Sequence, residues 1–428
     1  MPRTAPRVPA WRRPATMELM SSSRTDVLVI GAGPAGSSAA AWAARLGYDV
    51  TLADAAVFPR DKACGDGLTP RAIAELDRLG LTPWLEGRVR NWGLRTHGFG
   101  QTLFLPWPGG SFPKYGSAVP RTILDAEIRQ AALDSGALPL EGHRAVEVVR
   151  SGSQVSAVRF KVGAEIREVG CQRLIVADGA RSQLSRLLGR QWHKDTAYGV
   201  AARSYVKSAR SDDPWITSHL ELRDGDGQIL SGYGWVFPLG DGEVNLGVGT
   251  LATTRHPADV NLRKLTDVYA EQQREDWGLD GPVRNFKSAL LPMGGAVSGV
   301  AGPNWMLVGD AAGCVNPLNG EGIDYGLETG RLATEILSTR DYETVWPDLL
   351  REHYGQAFSI ARRLAGLLTV PHLLPTLGPV GMRSTTLMKV AFRVMANLVT
   401  DEDVDVTARA WRAAGRASTA VDERLPFS

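Results

Sequence analysis

DVLVIGAGPAGSSAAAWAARLG, residues 26–47, decides how this chain begins to fold. The run 26–30 is short and apolar, the pattern of a strand buried on both faces of a parallel sheet. A GxGxxG turn follows, and after it an alanine-rich stretch predicts a helix. Gly31 permits the tight turn and Gly33 lets the backbone approach a pyrophosphate. Gly36 allows the helix to pack closely on the sheet, with its N-terminus aimed at the phosphates. Ala35 belongs to the same turn. A second strand over 49–53 ends at Asp54, 23 residues after Gly31, where a carboxylate can accept hydrogen bonds from an adenosine ribose. Strand, turn, helix and spaced acid together point to a dinucleotide site in an α/β fold.

The composition leaves room for this and removes several alternatives. A chain of 428 residues can hold two or three domains, and 22% charged against 43% hydrophobic residues is ordinary for a globular protein. With 48 basic and 46 acidic residues the net charge is +2, which argues against a nucleic-acid partner bound through bulk charge. Cys64, Cys171 and Cys314 form no CxxC pair, and the seven histidines show no HxH or HExxH spacing, so neither a disulfide scaffold nor a metal site is expected. Residues 1–23 carry Arg3, Arg7, Arg12 and Arg13 and no apolar run, so they read as a disordered basic arm rather than a secretory signal. The longest uncharged stretch, 364–382, is interrupted by Pro371, Pro375 and Pro379 and is not an ordinary membrane span. The chain therefore reads as cytoplasmic.

Two distant segments specify the nucleotide. LIVADGARS (174–182) is an apolar run leading into Asp178-Gly179, and WMLVGD (305–310) is another ending in Gly309-Asp310. A glycine turn and a helical pattern, AAGCVNPLNGEGIDYGLETGRLATEIL, follow the second. In this order the set resembles the FAD-dependent aromatic-hydroxylase (PHBH-type) superfamily. The resemblance implies that Asp178 and Asp310 belong to the FAD site, with Asp310 holding ribityl or ribose hydroxyls. It also implies that Arg121 lies near the phosphates and that Gly320, Gly322 and Ile323 bring backbone to the flavin ring. No second GxGxxG follows a strand, so the reductant, NAD(P)H or an electron-carrier protein, is expected to dock transiently.

Two further segments narrow the branch. FPRDKACGDGLTPRA (58–72) and GYGWVFPLG (232–240) resemble the geranylgeranyl reductase family, whose members saturate isoprenoid double bonds with reduced FAD. SDDPWITSHLELR, ALLPMGGAVSGVAG and NPLNGEGIDYGLETG resemble the branch that hydrogenates one isoprene unit of the menaquinone side chain. Halogenase-like motifs, GES in place of CGDG and WxWxIP in place of YxWxFP, are missing. The resemblance implies that Cys64, Gly65 and Asp66 form a loop at the cofactor and that Tyr233, Trp235 and Phe237 line the prenyl chain. Strand alternation puts those three on one face, which by itself equally describes core packing. Cys64, between glycines, is a candidate proton donor or relay, with Tyr233 or a water as alternatives, and Tyr233 and Trp235 are placed at the catalytic end. Cys171 and Cys314 read as packing residues.

A polyprenyl quinone stays in the bilayer, so the protein has to reach it there. Residues 351–400 carry six cations against Glu352, and in 383–399 Leu387, Ala391, Val394, Met395 and Leu398 fall on one helical face with Lys389, Arg393 and Asn397 on another. That pattern suits a peripheral contact with the inner face of the cell membrane. The expected architecture is an FAD-binding domain from 24–90, 118–190 and 291–345, an antiparallel substrate domain from 91–117 and 191–290, and a helical, membrane-contacting region over 346–428. Reduction of another prenyl lipid, an FAD-dependent monooxygenase of an apolar substrate, or a flavin-binding carrier of prenyl lipids remain open alternatives.

Overall fold

In the computed structural model, which describes residues 24–428, the opening strand runs Arg24–Ile30 between Val50–Ala53 and Glu165–Val176. All three are parallel, with Val29 opposite Leu52 on one side and Ile175 on the other. Leu138–Leu140 and Trp305–Leu307 extend the parallel order to five strands. An antiparallel flank, Arg144–Ser151 and Gln154–Val162 against Glu165–Val176, together with Ala301–Gly302, completes an eight-stranded sheet. Val27, Leu28, Val29, Leu174 and Ile175 are fully buried, which is why these strands read as unbroken apolar runs. Cys171 and Cys314 are buried as expected. The basic arm, 1–23, lies outside the described residues.

The helix Pro34–Arg45 crosses the helix Ile323–Glu335 with almost no side chain between them. A Cβ on Gly330 would lie 2.3 Å from the Ala35 carbonyl oxygen, and one on Gly36 would lie 1.7 Å from that of Gly31. This backbone-on-backbone contact sets turn 31–36 beside turn 320–323, although they are almost 290 residues apart in sequence.

A second sheet of seven strands has the order Leu279–Leu291, Tyr198–Ser208, Glu243–Ala252, Gly232–Pro238, Ile216–His219, Gly93–Gly98, Gln101–Pro106. It is antiparallel except where Ile216–His219 runs parallel to Gly93–Gly98. The turn at 224–227 joins two neighbouring strands of this sheet, with Gly227 N–H donating to the Asp224 carbonyl.

The C-terminal helices do two jobs. Trp346 is fully buried and donates Nε1–H to the Leu307 carbonyl at 2.8 Å, and Phe358 and Phe427 join the core of the first sheet. The helices Leu373–Met382 and Thr385–Met395 lie against the second sheet instead, the first seated where a Cβ on Gly378 would meet the Phe99 ring at 2.2 Å. The basic excess of 351–400 is largely paired within the molecule: Arg351 with Asp348, Arg362 and Arg363 with Asp422, and Arg393 with Asp403 and Asp405. The polar face expected on 383–399 is therefore mostly internal, since Asn397 also donates to Asp324 at 3.1 Å. Among the described residues no single helix is long and apolar enough to cross a membrane. Tyr342–Leu368 and Leu373–Met382 meet that test only as a pair, bent by 111°.

The helix crossing sets a direct test. Gly330→Leu forces two backbones apart and lowers the stability of the FAD-free chain by ~3 kcal/mol or more in chemical denaturation. Gly366→Ala, in a helix with nothing within 4 Å of the new methyl, raises it by up to about 1 kcal/mol.

Candidate functional site

One cavity of about 1210 Å³ runs from turn 31–36, past turn 320–323, to the helices Leu373–Met382 and Thr385–Met395. That exceeds the ~300–1,000 Å³ usual for a single small ligand and leaves room for two end to end.

Its first end is built for an anion. The helix Pro34–Arg45 starts with no side-chain cap and no acid in its first turn, so its amides and its positive dipole end are free. A Cβ on Gly33 would lie 3.2 Å from Arg60 Nη2 and 3.8 Å from Arg121 Nη2, which puts two guanidinium groups over the turn. Both are held by one buried carboxylate: Arg121 Nε and Nη2 donate to Asp125 at 2.6 and 2.8 Å, and Arg60 Nη1 donates at 2.9 Å. Arg60 Nε also lies 3.8 Å from Asp54, so the two cations stand against two carboxylates. Asp54 ends its strand as expected and is fixed by the Ala32 and Ala56 amides, each donating at 2.8 Å. Asp178 Oδ1 is buried with no partner, and burial pushes that carboxyl up. Asp310 accepts from Lys62 Nζ at 3.0 Å. A free helix N-terminus, two guanidinium groups over the turn, a carboxylate at the strand end and an orphaned acceptor fit the dinucleotide half of FAD.

The middle of the cavity is walled by loop 64–67 and the strand Gly232–Pro238. Tyr233, Trp235 and Phe237 do share a face, with ring centroids 5.9 and 6.3 Å apart along the row. Cβ positions on Gly65 and Gly67 lie 3.3 and 3.0 Å from the Phe237 ring, so the loop rests flat on the aromatics, with no space for side chains there. Asn245, fully buried, ties the two together: it accepts from Trp235 Nε1 at 2.9 Å and donates to the Cys64 carbonyl at 2.9 Å and to Asp66 at 2.8 Å. Asp66 also accepts from Tyr205 O–H at 2.6 Å and sits at φ +64°, in the left-handed region that Asp tolerates better than most residues. Burial raises its carboxyl to about 6, against the lowering effect of Tyr205 and Asn245. Burial likewise pushes the Cys64 thiol up, opposed by Arg121.

At turn 320–323, Gly320 takes φ +76°, and Gly322 caps the helix that Ile323 begins. Tyr233 O–H donates to the Asn319 carbonyl at 2.5 Å, so its proton is already engaged. Glu321 faces the cavity, its Oε1 buried without a partner, and burial together with Asp324 pushes its carboxyl well up. Beside it Arg71 grips Glu328 at 2.9 Å, and Tyr354 donates to the same carboxylate at 2.9 Å.

Every residue singled out from the sequence for the cofactor or the substrate lines this one cavity except Gly36, whose place is the helix packing. Several residues of the site were not singled out. Arg60 and Lys62 sit in the quoted FPRDK segment, and Asp125 stands four residues after Arg121 on a helix, a spacing that signals pairing. Glu321 lies inside the quoted glycine turn. Asn245 carries no local signal.

Asp66 offers a pH test. A buried carboxyl with a raised pKa favours the folded state while protonated. Stability is therefore fully present below the unfolded value of 3.8 and is lost as pH rises to about 6. Asp66→Asn, isosteric and tolerant of the same φ, removes ~3 kcal/mol of that slope from denaturation curves of the FAD-free chain between those pH values.

The sequence and fold can be set beside known proteins. The model of the family described as FAD binding domain matches residues 24–338. A menaquinone reductase of Mycolicibacterium smegmatis is 62% identical over 411 residues, 95% of this chain and all of that one. Digeranylgeranylglycerophospholipid reductase 1 of Methanopyrus kandleri is 27% identical over 368 residues, covering 80% and 90% of the two chains. The crystal structure of a geranylgeranyl bacteriochlorophyll reductase-like protein from Thermoplasma acidophilum superposes with a TM-score of 0.71 at 21% identity, covering 94% and 97%. That last likeness is one of fold. With the cradle at turn 31–36 and the match along nearly its whole length, the chain belongs to the FAD binding domain family, on the branch that holds the menaquinone reductases.

Proposed function

We propose that this protein is an FAD-dependent reductase that saturates one isoprene double bond in the polyprenyl side chain of menaquinone. The observation that carries the reading is the single cavity joining a dinucleotide cradle to an apolar arm, where Leu105, Trp107, Met388, Phe392 and Met395 face the aromatic row. The 62% identity to a menaquinone reductase supports the choice of substrate.

An isolated trisubstituted alkene has no carbonyl to polarise it, so saturation needs a hydride at one carbon and a proton at the other. FAD, bound in its reduced form, supplies the hydride. The chain supplies everything else. Arg60 and Arg121 hold the pyrophosphate, Asp54 the adenosine ribose, and Asp310 with Lys62 the ribityl hydroxyls. Gly31, Gly33 and Ala35 keep the backbone close to the phosphates, Asp178 closes the same end, and Gly320, Gly322 and Ile323 present backbone to the flavin ring. Tyr233, Trp235 and Phe237 orient the prenyl chain and exclude water. Cys64, Gly65 and Asp66 form the loop that presses the chain toward the ring. Electrons arrive through NAD(P)H or a carrier protein that docks transiently. We assign 24–90, 118–190 and 291–345 to the FAD-binding part and 91–117 and 191–290 to the substrate part.

The cavity reaches the surface at the C-terminal helices, where Leu367, Leu377, Val380, Leu387 and Val390 are exposed and Arg383 and Lys389 make no ion pair among the described residues. We place the protein at the inner membrane face through this edge, so that a lipid chain passes from the bilayer into the apolar arm.

Two measurements test this. Reduced, FAD-loaded protein given menaquinone in detergent micelles under argon yields a quinone heavier by two hydrogens. A product heavier by one oxygen, formed only in air, marks a monooxygenase instead. Val380→Asp keeps its FAD and lowers binding to anionic phospholipid vesicles about tenfold in co-sedimentation.

A further inference from the structure

The alkene needs an acid at the dry end of the cavity, and three protonated groups face that end: Cys64, Tyr233 and Glu321. Tyr233 has its hydroxyl proton on the Asn319 carbonyl at 2.5 Å, and releasing it there breaks the contact that ties the aromatic row to turn 320–323. Cys64 accepts the Asp66 amide at 3.3 Å, and a thiol that burial has weakened further is a poor acid for an alkene. Glu321 differs on each point. It stands between Gly320 and Gly322, on the turn that brings backbone to the flavin ring, and its Oε1 is buried with nothing bound to it. Its Oε2 has only Asn319 Nδ2, at 3.4 Å.

We propose that Glu321 is the catalytic acid that delivers the proton to the isoprene double bond. The inference rests on the prenyl-reductase reading above. The surroundings explain why this carboxyl waits as a neutral acid. On the helix that follows it, Asp324 adds negative charge and Tyr325 adds none while protonated. Thr69, the cap of the helix Pro70–Arg78, and Arg71 on that helix both oppose the rise, but Arg71 is already gripped by Glu328. Tyr233 faces it from the second sheet. Burial and Asp324 therefore outweigh Arg71 and hold the carboxyl well above the usual carboxylate range. Once the proton has left, the same Arg71 stabilises the carboxylate.

The step balances. The O–H bond of the Glu321 carboxyl breaks and a C–H bond forms at one alkene carbon. A hydride from the reduced flavin forms the second C–H bond, so the alkene is reduced by two electrons and the flavin oxidised by two. The carboxylate then takes a proton from solvent before the next turnover.

Glu321→Gln keeps the shape and removes the proton. In the FAD-loaded full chain it retains affinity for FAD and for menaquinone in micelles. The rate at which the reduced flavin is reoxidised by menaquinone under argon falls ~100-fold or more. In wild type that rate falls as pH rises through the pKa of the acid, and this limb is absent from the residual rate of Glu321→Gln. Glu321→Asp recovers part of the rate. Independently of turnover, the infrared carboxylic-acid C=O band that shifts in D₂O at neutral pH loses the contribution of one group in Glu321→Gln. A wild type that reduces menaquinone while Glu321→Gln keeps both rate and pH limb overturns the assignment alone, as does an unchanged infrared band. A wild type that leaves menaquinone unreduced overturns the substrate reading, and the assignment with it. Should Glu321→Gln lose FAD, Glu321→Asp decides: full loss of rate with FAD and menaquinone still bound, or a limb that does not move, overturns it.

Discussion

The cavity depends on one buried polar knot between the two sheets. Asp66 hangs from the first sheet's loop, and Tyr205 and Asn245 stand on neighbouring strands of the second. Each of these hydrogen bonds contributes ~1–3 kcal/mol when the alternative is an unpaired buried group, and together they fix where loop 64–67 lies. Asn245 extends the knot to the Cys64 carbonyl and the Trp235 indole, so loop and aromatic row move as one unit. Arg203, almost fully buried, ties the stretch just before the loop to the same sheet, through Asp61 and the Lys62 carbonyl.

Charge is graded along the cavity. At the cradle end two guanidiniums stand over turn 31–36, held by Asp125 and Asp54. At the far end burial favours the neutral forms of Cys64, Tyr233 and Glu321 alike, and Arg71 is matched by Glu328. A hydrocarbon chain tolerates such a neutral end because no fixed charge has to be desolvated against it. The same low dielectric favours the protonated form of a carboxylic acid.

The surface at the C-terminal helices shows how composition misleads. Counting residues over 351–400 gives a strongly basic stretch, yet most of its cations face Asp348, Asp403, Asp405 and Asp422. Ion pairing with acids outside the counted window removes most of the free positive charge. That edge is left with exposed apolar side chains and with Arg383 and Lys389 beside them.

What the sequence determined by itself was whatever depends on neighbours along the chain. GxGxxG between an apolar run and an alanine-rich helix fixed the turn, because Gly31 needs φ +99° and Gly36 has no space for a Cβ. Period-two alternation put Tyr233, Trp235 and Phe237 on one face, and the order of the DG and GD fingerprints announced a discontinuous FAD-binding fold. Tertiary structure alone decided the partners. Asn245 meets Cys64 across 181 residues, and Arg71 meets Glu328 across 257. No periodicity encodes such pairs, since they are made where separate sheets and helices happen to converge. Protonation follows the same rule: whether Glu321 or Cys64 is the better acid depends on burial and on which cation is already taken, and both are properties of the packed molecule.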